Sequence, residues 1–270
     1  MTDNAAAYEA DGYVSIPDLF SRDETEELRA AFEELERRGA IWIGAEEMAD
    51  FTDAIFLHDA FAAVLRKPHV ITLLTSLLGP HIELHESKFI NKPRCDRGRQ
   101  RIEWHQDFAF YPHTNFDLLA FGVHLDDEDE QSGPVRVIPG SHRDGPLPHC
   151  ADGRFLHRLA ELPESAGSIA LTGPRGFVTL HHCLAIHSSD AKAHSGNRRI
   201  LYYEVRAQDN VQLAGWLQRS SGYPITPRPA NQSRYARFPD GTRIELRGAQ
   251  GKLCDPEGVL APAPFHGDVR

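Results

Sequence analysis

Beyond Gly79 the chain becomes a succession of short β-like runs: HIELHESKFINK, RIEWHQDFAFY, LLAFGVHLDD, VRVIPGS, GSIALT, GFVTLHH and RRILYYEVR. Clusters of Gly, Pro, Asn and Asp separate them, which is the pattern of an antiparallel sandwich or barrel. Helical signals precede this region. SRDETEELRAAFEELERRG opens with an S-x-x-E capping box at Ser21 and Glu24, carries an apolar stripe of Leu28, Ala31, Phe32 and Leu35, and ends at Gly39. A second helical stretch from Asp59 to Leu78 is expected to break into two pieces at Pro68 and to stop at Gly79. Helices first and strands after predict an α+β class, mainly β, with the helices packed on one outer face of the β core.

A chain of 270 residues fits one domain. We expect a helical N-terminal region over about 1–80, a β core over about 81–206 and a C-terminal extension over about 207–270. The extension is rich in Pro, Arg and turn residues, and its tail from Asp255 reads as a poorly ordered terminus or arm. Hydrophobic residues at 41% and charged residues at 25% are those of a soluble globular protein, and a net charge of −10 offers no basic field to nucleic acid or an anionic membrane. The start, MTDNAAAYEADGY, lacks the basic and apolar segments of a secretory leader, so a cytoplasmic location is expected. Cys95, Cys150, Cys183 and Cys254 are scattered and form no CxxC pair, so they read as free thiols in a reducing compartment.

Histidine is abundant, with 15 residues, several of them in strand-like segments. In RIEWHQDFAFY, His105 and Asp107 stand two apart, and in a strand such residues point to the same face. A self-satisfied His–Asp pair would explain them alone, because a buried Asp needs a partner. Downstream, GFVTLHHCLAIHSSDAKAHSGNRRILYYEV supplies His181, His182, His187 and His194. One of these added to His105 and Asp107 completes a two-histidine, one-carboxylate facial set, which binds Fe(II) and leaves the opposite positions open. Arg198 and Arg199, consecutive in a strand, face opposite sides, so only one can reach inward to hold the far carboxylate of a 2-oxo diacid.

The segment WHQDFAFY, followed by GPVRVIPGSHRDG and HHCLAIHSSDAKAHSGNRRILYY, resembles the phytanoyl-CoA dioxygenase-like family of Fe(II)/2-oxoglutarate-dependent oxygenases. The resemblance extends from about Tyr8 to Val205 and includes YEADGYVSIPDLFSRDETEELRAAFEEL and FINKP. It implies a double-stranded β-helix, the jelly-roll or cupin-like core, wrapped by helices. It implies His105, Asp107 and His187 as iron ligands, with Arg198 first and Arg199 as the alternative for 2-oxoglutarate. HSS stands here where the family usually has HGS. His181 and His182 are then strand or lining residues, His194 an exposed loop residue, and Gln106 a side chain facing away from the metal. Lys88, Asn91 and Lys92 lie on a strand that approaches the co-substrate in relatives, and Lys92 is the candidate taken from it.

The implied activity is a dioxygenase using Fe(II), 2-oxoglutarate and O2 to hydroxylate an unactivated C–H bond of a small molecule, with release of succinate and CO2. Asp107 separates the chain from halogenases of related architecture, which have Gly or Ala there. Aromatic residues near the ligands (Trp104, Phe108, Phe110, Tyr111, Phe116) favour a substrate with a hydrophobic body, of secondary-metabolite type, over an acyl-CoA thioester. IPGSH reads as a turn shaping the barrel mouth, and the long segment after it, RDGPLPHCADGRFLHRLAELPESAG, as a wall or lid. Two rivals remain on the residues alone: a zinc hydrolase with the same ligands, which leaves the distal arginine unexplained, and a non-catalytic jelly-roll binding protein. The sequence carries no signal of oligomeric state.

Overall fold

A computed structural model describes residues 3–41, 48–93, 100–162, 167–227 and 235–245. In chain order the helices are α1 (Asp3–Asp11), α2 (Arg22–Arg37), α3 (Asp59–Val64) and α4 (Pro68–Leu78). The strands are β1 (Tyr13–Ile16), β2 (Ala49–Thr52), β3 (Ile82–Pro93), β4 (Ile102–His105), β5 (Leu118–His124), β6 (Val135–Val137), β7 (Cys150–Ala151), β8 (Arg154–Phe155), β9 (Ile169–Leu171), β10 (Val178–His182), β11 (His187–Ser189), β12 (Asn197–Ala207), β13 (Tyr223–Pro224), β14 (Tyr235–Arg237) and β15 (Arg243–Glu245). A seven-stranded sheet runs β1-β10-β5-β12-β3-β13, with β2 also paired to β3, and a four-stranded sheet runs β4-β11-β6-β9. All ladders are antiparallel. These two sheets are the jelly roll that the sequence led us to expect.

The helix signals hold. Ser21 Oγ accepts from the backbone N–H of Glu24, whose carboxylate accepts from the Ser21 N–H, so the capping box is closed in both directions. Gly39 has φ +67, a left-handed conformation that glycine adopts without penalty. Pro68 divides the second helical stretch and begins α4, where its missing N–H costs nothing. Leu28, Ala31, Phe32 and Leu35 of α2, Phe61 and Val64 of α3 and Leu74 of α4 are buried against the large sheet. Each such Leu, Val or Phe side chain contributes about 1.5–3 kcal/mol of transfer free energy.

Strand alternation turns that sheet into a partition. On β12, Leu201, Tyr203 and Val205 join the core beneath the helices, so Arg198, Ile200, Tyr202, Glu204 and Arg206 face the other way, into the barrel. On β5, Leu119, Phe121 and Val123 join the same core and Ala120, Gly122 and His124 face inward. On β3 the parity changes partway. Phe89 packs on Phe32 toward the helices, whereas Ile82 and Leu84, of opposite parity, join that same core. The register against β12 shifts between Glu204 and Val205, so His85 is an extra residue and a β-bulge interrupts the ladder.

The C-terminal extension is not wholly outside the core: β13 pairs with β3, so residues beyond 207 complete the edge of the large sheet. The tail from Asp255, together with Cys95 and Cys254, lies outside the described residues. Cys150 is exposed, Cys183 buried, and both are free. Among the described residues no helix is long and apolar enough to cross a membrane.

Candidate metal centre and active site

His105 ends β4 and His187 begins β11, and the two are direct partners in the antiparallel ladder, with ring centroids 4.2 Å apart. Asp107 is not on the strand, contrary to the expectation from i, i+2 spacing. It opens a 3-10 turn, Asp107–Ala109, and only Gln106 between it and His105 keeps an extended backbone. The turn still delivers the carboxylate to the imidazoles: Asp107 Oδ1 lies 3.6 Å from His105 Nε2 and 3.5 Å from His187 Nε2. One ligand atom from each residue lies within 4.8 Å of the others, a set able to hold a metal ion.

The second nitrogens fix the tautomers. His105 Nδ1 lies 2.8 Å from the Glu103 carbonyl and His187 Nδ1 lies 3.0 Å from that of Ala185, so each Nδ1–H donates to backbone and each Nε2 keeps its lone pair for the centre. Burial pushes His187 well below the usual imidazole range, which keeps it neutral and ligating. Burial alone would raise the Asp107 carboxyl. His187, His105 and His181 more than offset this and hold it well below the ordinary carboxylate range. His181, which faces inward from β10, donates from Nε2 to Asp107 Oδ2 at 3.2 Å and orients that carboxylate. Sequence had offered it only as a lining residue.

Gln106 points away from the ligands, as expected. Its amide donates to the carbonyls of Gly145 and Leu184, and its carbonyl accepts from the Leu147 N–H, which anchors the long segment after IPGSH to the ligand turn. IPGSH itself is structural: Gly140 has φ +75, and Ser141 Oγ donates to the Ile138 carbonyl while accepting from the Ile186 N–H beside His187.

The two arginines separate as strand geometry requires. Arg199 leaves the barrel, donates from Nε and Nη2 to Asp126, and lies 5.4 Å over the ring of Phe32. Arg198 is fully buried and lines one cleft with His105, Asp107 and His187, a cleft with a free volume of about 70 Å³. Its Nε donates to Glu128 at 2.9 Å, and Glu128 also accepts from His124 Nδ1 at 2.6 Å. Arg198 Nη2 is buried without a well-aligned hydrogen-bond partner among the described residues, and the side chain, which also interacts with Tyr202, lines the centre's cleft. Lys92 sits opposite Arg198 in the β3–β12 register, but its ammonium donates to Ser189 Oγ and the Asp190 carbonyl and does not line the cleft. Asn91 is buried on the opposite face, while Lys88 does line the cleft. His194 is half-exposed and contacts Asp129. Glu128 escaped sequence reading because it stands in the acidic run DDEDE, which looks like a solvated turn.

These residues fit a ferrous ion and a 2-oxo diacid. Two neutral imidazoles and one carboxylate are the donors such an ion takes, and an unsatisfied guanidinium donor awaits an anion in the same cleft.

Comparison with known proteins agrees. The model of the phytanoyl-CoA dioxygenase (PhyH) family matches residues 8–200. The chain is 31% identical over 227 residues to a probable alpha-ketoglutarate-dependent hypophosphite dioxygenase of Stutzerimonas stutzeri, covering 76% of this chain and 78% of that one. It is 29% identical to the L-proline trans-4-hydroxylase of Streptomyces griseoviridis, over 74% of this chain and 84% of the relative. In fold it matches the crystal structure of EctD from S. alaskensis with 2-oxoglutarate and 5-hydroxyectoine, with a TM-score of 0.64, 23% identity and coverage of 85% of each chain. The chain therefore belongs to the phytanoyl-CoA dioxygenase family and is a 2-oxoglutarate-dependent dioxygenase.

Proposed function

We propose that this oxygenase hydroxylates an unactivated C–H bond of a small-molecule substrate, with His105, Asp107 and His187 holding Fe(II) and Arg198 binding 2-oxoglutarate. The observation that carries this reading is the Arg198 guanidinium, with an Nη2 that has no well-aligned hydrogen-bond partner among the described residues, lining the cleft of the three ligands. A hydrolase using the same donor set would have no use for it. When bound, iron and 2-oxoglutarate supply oxidation by O2: one oxygen atom enters the C–H bond, the other enters succinate, and CO2 leaves.

The protein's own groups bind, orient and exclude water. His105 and His187 present fixed Nε2 lone pairs, and His181 holds Asp107 in place. Glu128 clamps the Nε edge of Arg198, which leaves the rest of the fork to take a carboxylate in bidentate fashion. Ile90, Ile102, Ala120 and Val135 close the cleft with apolar surface, so the ion pair formed there is poorly screened and strong. No side chain has to supply a proton for the C–H step, which matches the absence of an H-E-x-x-H base from the sequence.

The test is succinate formation from 2-oxoglutarate by the purified chain with Fe(II), ascorbate and O2, followed by mass spectrometry of a small-molecule panel. We expect products heavier by one oxygen, and loss of succinate release in Asp107→Ala. Succinate release that persists in Asp107→Ala, or that never requires iron, would overturn the assignment.

A further inference from the structure

The barrel interior has two chemically different ends. Arg198 marks one. Six residues further along β12, about 20 Å of strand, Glu204 marks the other, directly across from Glu86 on β3. Lys88 stands between them, its Nζ 3.0 Å from Glu86 Oε1 and 3.0 Å from Glu204 Oε1. The side chain of Lys88 is 23% exposed and that of Glu86 11%, so solvent reaches this end, and Lys88 and Glu204 line the same cleft as the metal ligands.

This cluster has two carboxyls and one ammonium, and burial, with Glu86 adding to it, pushes the Glu204 carboxyl well up against the pull of Lys88. The next charged pair along the barrel, Arg206 with Glu83 at 2.8 Å, is already balanced and cannot supply the missing cation. Nor do the neighbouring polar groups. Gln218 reaches Glu86 Oε2 at 2.9 Å with a neutral amide. Tyr111 is 7% exposed, its hydroxyl interacts with Glu204 without forming a well-aligned hydrogen bond, and it finds no other partner among the described residues. His85, brought to the inner side by the bulge, is 1% exposed with both ring nitrogens unpartnered, and its ring lies 4.6 Å from that of Tyr111. Burial has pushed it down to about 2, so it brings no charge either. Two carboxyls sharing one lysine, beside unsatisfied neutral groups, leave Glu204 held in its neutral form for want of a second positive charge to ionise it.

We propose that the Glu86–Lys88–Glu204 cluster is the substrate-recognition end of the cleft, selecting a small molecule that carries a protonated amine or amidine. This rests on the oxygenase reading for what happens to the molecule, but not for whether it binds. An ammonium or amidinium there gives each carboxylate its own counter-charge. A second, anionic group on the same molecule is accommodated by Lys88, so amino acids and other zwitterions fall within the class. A molecule with only a carboxylate supplies no second cation to the pair and competes with Glu86 for Lys88.

The test uses four five-membered-ring probes that differ in charge: pyrrolidine (cation), L-proline (zwitterion), cyclopentanecarboxylate (anion) and cyclopentanol (neutral). Binding to the full chain loaded with Fe(II) and 2-oxoglutarate, without O2, is measured by titration calorimetry. Pyrrolidine and L-proline are expected to bind at least about tenfold more tightly than the other two, the effect of one charge-assisted hydrogen bond. In Glu86→Gln/Glu204→Gln that preference should fall to near parity, and in Lys88→Met the preference for pyrrolidine should increase. Equal or tighter binding of the carboxylate, no binding of either nitrogenous probe, or a preference that survives in the double variant overturns the proposal. Iron-dependent succinate release by the wild-type chain is scored separately, so failure of the probes does not count against the oxygenase reading, nor failure of succinate release against this one.

Discussion

Glu128→Ala is expected to damage stability and co-substrate binding together, because one carboxylate serves both. The side chains of Glu128 and Arg198 are 0% and 2% exposed, and they meet at 2.9 Å. Burial alone would raise the Glu128 carboxyl; Arg198 and His124 more than offset it and hold it below its ordinary range, so it is an ionised partner. Removing it leaves a buried guanidinium without its counter-charge, at a cost of about 3–5 kcal/mol. At about 2–4 °C per kcal/mol for a domain of this size, the melting midpoint should fall by about 6–20 °C. Glu128→Gln keeps the volume and an acceptor for Arg198 Nε, so its cost should be smaller, about 1–3 kcal/mol. With its Nε edge released, Arg198 is no longer oriented, and the KM for 2-oxoglutarate should rise about tenfold, equivalent to 1.4 kcal/mol of binding. Thermal denaturation by circular dichroism and succinate release against 2-oxoglutarate concentration give the two numbers. The double variant Glu128→Ala/Arg198→Met should melt above the sum of the single effects, since the uncompensated charge is gone. A Glu128→Ala protein melting within about 2 °C of wild type, with an unchanged KM, would refute the reasoning.

Four further outcomes follow from the geometry. Arg198→Met should abolish saturation by 2-oxoglutarate, whereas Arg199→Met, which loses Asp126 on the outer face, should lower the melting midpoint and leave that saturation in place; steady-state kinetics of both variants decide it. A Cβ at Gly122 would stand 2.8 Å from Tyr202 Cε1, and Tyr202 lines the cleft, so Gly122→Ala should cost about 1–3 kcal/mol and raise the KM for 2-oxoglutarate, read by chemical denaturation and the same assay. Burial lowers His85 to about 2 and His113 and His182 to about 4, so these rings stay neutral in the folded state while the unfolded chain takes up protons below about pH 6.5. Their stability contribution is complete above that pH and is lost as pH falls, by up to about 4 kcal/mol per pH unit near pH 5 if all three contribute; a pH series of urea midpoints showing no loss between pH 7 and 5 would contradict it. Chelation of divalent metal should lower the melting midpoint and Fe(II) should restore it, by about 2.7 kcal/mol at a hundredfold excess over Kd, with no such response in Asp107→Ala.

What was legible in the sequence was whatever is encoded locally. The Ser21–Glu24 cap, the break at Pro68 and the opposed faces of Arg198 and Arg199 each depend on a few neighbouring residues, and each appears in the structure. The meeting of His105 with His187 is a long-range pairing of β4 and β11, and spacing alone left several downstream histidines open; only the family resemblance singled out His187. Glu128 was hidden because its burial comes from β5 and β12 carrying His124 and Arg198 to it, not from any periodicity in DDEDE. His85 was hidden for another reason: no Gly or Pro marks the extra residue in HIELHESKFINK, so a regular strand would have sent it outward. Asp107 came to the right place by a different route from the one inferred, a tight turn instead of a continued strand.

That extra residue in β3 divides the barrel lengthwise. On one side of it the register that sets Lys92 opposite Arg198 is fixed by pairing that continues without interruption to Glu86; on the other, Glu83 and Arg206 belong to a frame displaced by one position. Side-chain direction in a strand has only two settings, and the extra residue is what carries His85 to the inner side; without it Glu86, Leu84 and Glu83 would alternate inward, outward and inward as they do now, the His85 ring would be gone from the barrel, and the arginine end would be untouched. Loss of that one codon would thus strip an uncharged ring from beside Tyr111 without disturbing the machinery that handles oxygen.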